Sequence, residues 1–125
     1  QDSAATDAQT ISFNYTAPGG GFGGVETVNL ANISPGARIV DVSVEVTTAL
    51  GNYTGATEPT VDVGTAADLD QFMTGEESDL SSAGTYTANP NYLYPATQSV
   101  DLSLKARISH RSATQGDFVV TVTYV

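Results

Sequence analysis

From Ile11 the chain alternates strictly, with Ile11, Phe13 and Tyr15 on one side and Ser12 and Asn14 on the other, which predicts a strand. Pro18 and the glycine-rich stretch Gly19-Gly20-Gly21-Phe22-Gly23-Gly24 break it with a loop. A second strand is expected over Val25 to Leu30, with Val28 and Leu30 inward, before a turn at Ser34-Pro35-Gly36. The clearest pattern runs from Ala37 to Leu50. Val40, Val42, Val44, Val46, Thr48 and Leu50 share one face, while Asp41, Ser43, Glu45 and Thr47 share the other. That two-residue period marks a half-buried antiparallel strand.

Thr60 to Gly64 reads as a short strand. Leu69, Phe72 and Met73 stand at helical spacing and predict one helical turn within 66–73, followed by an acidic, Ser-rich loop from Gly75 to Ala83. Thr85-Tyr86-Thr87 and Tyr92-Leu93-Tyr94 are short strands bounded by Asn89-Pro90-Asn91 and Pro95. Val100, Leu102, Leu104, Ala106 and Ile108 then alternate with polar residues, and a closing strand carries Phe118, Val120, Val122 and Tyr124. About eight strands separated by turn signals predict an all-β fold, an antiparallel β-sandwich of jelly-roll type. Residues 1–9 are small and polar without periodicity. They read as a flexible arm ahead of a single domain over 10–125.

Charge narrows the function classes. The chain has 125 residues, with 14 acidic against 4 basic, for a formal net charge of −10. Nucleic-acid binding needs clustered Lys and Arg, and an anionic membrane surface repels such a chain, so neither is expected as a partner. Without cysteine there is no disulfide framework and no thiolate metal site. No stretch approaches the length of an apolar membrane-spanning helix.

Catalytic chemistry finds little to build on. His110 is the single histidine, expected on the surface near a strand end, and its neighbours Ser109 and Arg111 would point to the strand face opposite to its own. No catalytic residue and no cofactor is therefore assigned. Carboxylate pairs for glycoside hydrolysis lack the aromatic cleft that Trp would furnish, because the chain has none. Asp68, Asp70, Glu76 and Asp79 could offer oxygens to calcium from two acidic loops. Phe72 and Met73 break the helix–loop–helix calcium spacing, so an acidic loop facing water is the plainer reading. The glycine run has no following Lys-Ser or Lys-Thr and cannot be a phosphate cradle. Tyr86, Tyr92 and Tyr94 could stack on sugars or cover a sandwich edge, and the second reading is preferred.

The order of these segments resembles a known family. Ala37-Arg38-Ile39-Val40-Asp41-Val42-Ser43-Val44-Glu45-Val46 is followed by Val61-Asp62-Val63-Gly64 and Ala67-Asp68-Leu69-Asp70-Gln71-Phe72-Met73. Later come Ala83-Gly84-Thr85-Tyr86, Tyr92-Leu93-Tyr94-Pro95-Ala96 and Ala113-Thr114-Gln115-Gly116-Asp117-Phe118. Over roughly residues 25–125, this resembles the small β-rich virion structural proteins of tailed bacteriophages, which serve as capsid decoration (cement) proteins or head and tail fibre domains. The resemblance implies a non-enzymatic protein on the outer surface of the capsid, with the major capsid protein and copies of itself, as a homotrimer, for partners. The arm would then order on binding, making Gln1, Asp2, Ser3 and Asp7 candidate capsid or subunit contacts. A fibre or secreted module recognising glycans through the three tyrosines is the alternative, and a hydrolase the least favoured.

Overall fold

The computed structural model describes residues 8–18 and 24–125. Within them lie eight strands: β1 (Gln9–Thr16), β2 (Val25–Ile33), β3 (Arg38–Gly51), β4 (Thr60–Thr65), β5 (Gly84–Ala88), β6 (Tyr92–Leu93), β7 (Leu102–Ser109) and β8 (Gln115–Tyr124). The larger sheet runs β1-β8-β3-β5, with β6 also paired to β3, and the smaller sheet runs β2-β7-β4. Every named pairing is antiparallel.

The pairings nest. β1 joins β8, β2 joins β7, and β3 joins β5, while the innermost pair shrinks to one antiparallel bridge between Val63 of β4 and Met73. A long hairpin rolled over on itself pairs in this way, and it is the jelly roll expected from the alternation. β5 and β6 are two pieces of one edge strand, interrupted at Asn89-Pro90-Asn91, where Asn91 takes φ 48°.

The core lies between the sheets. Val42, Val44 and Val46 of β3 and Phe118, Val120 and Val122 of β8 meet Val61 and Val63 of β4 and Leu104, Ala106 and Ile108 of β7. All are buried, and each of the valine, leucine, isoleucine and phenylalanine side chains contributes roughly 1.5–3 kcal/mol by leaving water.

Three expectations need correction. In β3 the inward set is Ile39, Val42, Val44, Val46 and Leu50, with Val40 half-buried and Thr48 exposed. Register shifts against β8 between Ile39 and Asp41 and again beyond Val46 reset the alternation, as a bulge does. The segment 66–73 holds no helical turn. Phe72 and Met73 are buried because the chain folds back onto β4, where Val63 N–H donates to Met73 O (2.8 Å) and Phe72 N–H donates to Val63 O (2.8 Å). Gly64 permits this approach, since a Cβ there would lie 2.2 Å from the Asp68 carbonyl oxygen. Val100, expected inward, is 65% exposed because β7 begins only at Leu102.

Candidate functional site

His110 departs from its expected surface position and is 3% exposed. It continues the inward parity of Leu104, Ala106 and Ile108 one residue past the end of β7. Its Nδ1 accepts the Ser112 backbone N–H at 3.1 Å, and its ring faces Tyr15 at 6.1 Å between centroids. Tyr15 also stacks on Phe118 at 4.9 Å. The imidazole therefore organises a turn and fills the end of the core. Burial first, then the charge of Glu26, pushes the Tyr15 hydroxyl pKa up to about 12.

Arg111 and Ser112 follow with φ of 53° and 59°, two successive left-handed residues that are not glycine. Arg111 N–H donates to Gly24 O (2.9 Å), and Arg111 O accepts from Thr54 N–H (2.7 Å), so one residue ties three loops together at this end. A Cβ on Gly24 would come within 2.9 Å of Arg111 Cα, which explains a glycine with φ +76° there. Beside this hub lies a cleft of about 580 Å³ whose lining includes Glu58, Asp70, Glu76 and Arg111 with the side chains of Thr57 and Thr60.

Of the acidic residues weighed for calcium, Asp79 is held within its own loop and Asp68 is paired with Asp70, while Glu76 lines the cleft with Asp70. Asp79 accepts Ser81 N–H (3.0 Å) and Ser81 Oγ (2.5 Å), while Glu77 accepts Thr74 N–H (2.8 Å) at the head of a 3-10 turn, Gly75–Glu77. Asp68 shares a hydrogen bond with Asp70, which, with desolvation and the charge of Asp70, holds its carboxyl above the usual carboxylate range. Among the described residues, no three acidic or imidazole groups gather as a metal cluster. A close ion pair in the smaller sheet joins Arg107 to Asp62, with Nη2 and Nε at 2.6 and 2.7 Å from Oδ2.

The tyrosines cover edges. Tyr94 is 7% exposed, with its hydroxyl donating to Val100 O (2.7 Å). Tyr92 packs on Phe72 at 5.3 Å, and the Tyr86 hydroxyl donates to Ser82 O (3.0 Å). They form no open aromatic platform for a sugar. Of the expected contact residues, Gln1, Asp2, Ser3 and Asp7 lie outside the described residues, as does the glycine run 19–23. Gln9, the last residue of the expected arm, is already in β1, paired with Tyr124.

No family model and no curated protein matches the chain. Solved structures do, and two of them are phage capsids. One is a chain of the cyanophage Pam1 capsid asymmetric unit, with a TM-score of 0.66 and 19% identity over 99% of this chain and 96% of that one. The other comes from the acidic stable capsid structure of the Helicobacter pylori bacteriophage KHP30, with a TM-score of 0.63 and 19% identity over 95% and 87%. At that identity the likeness shows a shared fold.

Proposed function

We propose that this chain is a phage virion structural protein, a non-enzymatic capsid decoration protein that binds the outer surface of the head shell and stabilises it. The observation that carries the reading is the fold match to chains of two phage capsids, which spans nearly the whole of this chain and most of each of those. Such coverage pairs this chain with capsid components of similar size. The charge supports the same reading: a net −10 keeps copies soluble and apart from the DNA within a shell. Asp79 held within its loop, His110 buried at the end of the core and Tyr94 covering an edge support the same reading.

In this reading the major capsid protein is the partner, and copies gather as trimers on the local threefold axes of the shell. The segment ahead of β1, through Gln1, Asp2, Ser3 and Asp7, orders on the shell surface and adds contacts there. The test is immunogold labelling of virions of the encoding phage with an antibody raised against the folded chain. Label spread over the head supports decoration. Label confined to fibres or tail, or absent from particles, overturns it. Deleting residues 1–8 should weaken co-sedimentation with shells, and undiminished binding counts against the role of the arm.

A further inference from the structure

Four strand edges end the two sheets, and three of them are blocked against further pairing. β4 is covered by the chain that follows it: Val63 pairs with Met73, and the Val61 N–H donates to the Ser78 hydroxyl (3.1 Å). The β5/β6 edge is short and broken by Asn89-Pro90-Asn91. β2 carries a register shift between Asn29 and Ala31, and Glu26 stands opposite inward-facing Ile108. Short strands, prolines, bulges and inward charges are the devices by which sheets refuse a new neighbour.

β1 has none of them. Its eight residues, Gln9–Thr16, pair with β8 in unbroken register, and the segment contains no charged residue and no proline. Among the described residues, no strand pairs with its outer edge. The inward Ile11 and Phe13 are only half-buried, as are Val28 and Leu30 across the gap on β2. On the opposite flank Phe72, Met73 and Leu80 are buried, so among the described residues the sandwich is closed there and open along β1.

We infer that the β1 edge is a contact between copies of this chain, in which β1 of one copy pairs antiparallel with β1 of a second about a twofold axis. Charge selects this occupant. Two chains of net −10 repel over most of their surface, and β1 is an uncharged edge along which they can meet. Blocked edges select it too, because β1 is the one edge of a second copy still able to accept a strand. Centred on Phe13, the pairing sets Ile11 against Tyr15, Ser12 against Asn14 and Thr10 against Thr16, apolar with apolar and polar with polar. The strand is roughly 27 Å long. With the flank beside it, each copy would bury on the order of 500 Å², less than the ~800 Å² per partner of a standard stable interface. The pair is therefore modest in solution and strengthened where many copies are held together on one surface.

The contact is independent of what the assembled chain sits on, and the free protein tests it. Light scattering of the wild type should approach twice 12.9 kDa as concentration rises. Ile11→Lys, whose stem covers the half-open site while its ammonium reaches water, should stay at one chain mass with an unchanged near-ultraviolet circular dichroism spectrum. Thr87→Lys on the β5 edge should associate as the wild type does. A wild type that stays at one chain mass at its solubility limit overturns the inference. So does a folded Ile11→Lys that still associates, or a Thr87→Lys that dissociates equally. If Ile11→Lys fails to fold, hydrogen exchange on the wild type decides: protection of the 9–16 amides must rise with concentration, and constant protection overturns the pairing.

Discussion

Replacing Tyr15 by Phe removes one hydroxyl and keeps the ring against Phe118 and His110 at 4.9 and 6.1 Å. The hydroxyl is buried with no hydrogen-bond partner among the described residues. A buried polar group left unpaired costs about 1–3 kcal/mol relative to an apolar one. Tyr15→Phe should therefore stabilise the fold by about 1 kcal/mol, or roughly 3–5 °C in Tm for a domain of this size. Alkali enlarges the difference. The hydroxyl pKa rises from 10.0 to about 12 on folding, so between those values the unfolded chain has lost a proton that the native chain retains. The native state then binds more protons, and wild-type stability falls as pH rises through that window while remaining intact below it. A shift of that size corresponds to about 2 kcal/mol at the top of the window. Tyr15→Phe escapes it, and the other tyrosines affect both proteins alike. Urea titrations near neutrality and at about pH 11 read both effects. A variant less stable than wild type near neutrality, or a stability gap that does not widen in alkali, would refute the reasoning.

Two further substitutions test the packing around β4. Gly64→Ala places a Cβ 2.2 Å from Asp68 O and 2.7 Å from Gln71 N, both backbone atoms, so the 66–73 segment must lift. A loss of about 2–4 kcal/mol is expected, with faster proteolysis within 66–73. Asp62→Asn keeps an acceptor for Arg107 but removes the charge from a pair whose acid is buried and whose arginine side chain is 38% exposed. Discounted for that exposure, the cost is about 1–2 kcal/mol in urea unfolding.

The alternation of Val42, Val44 and Val46, and of Leu104, Ala106 and Ile108, is enough to place both sheets, because each run keeps a two-residue period across a half-buried surface. What misled lay where the backbone leaves that period. Val40 and Thr48 have the right parity, but bulges in β3 turn them away from the core, and no residue type announces a bulge there. Phe72 and Met73 stand at a spacing that suits a helix equally well as a chain doubling back. Gly64, which admits the returning backbone, was the available signal. His110 is a different case. Its inward position follows from Leu104, Ala106 and Ile108 by counting in twos, and a charge-capable side chain at that position need not be a surface residue when its Nδ1 accepts a backbone N–H.

The candidate site was less legible because a binding surface of this kind is made by topology. The acids and tyrosines could be weighed from the sequence, and geometry resolves them into loop caps and edge covers: Asp79 on Ser81, Tyr94 on Val100. The β1 segment Gln-Thr-Ile-Ser-Phe-Asn-Tyr-Thr looks like any half-buried strand until the sheet order puts it at an edge. Only then does its lack of charge, proline and bulge acquire meaning, because those features matter where backbone N–H and C=O groups await partners. Acidity distributed over the chain and a long, unbroken, uncharged strand at the β1 edge are complementary. The first limits indiscriminate association, and the second leaves one direction in which copies can join.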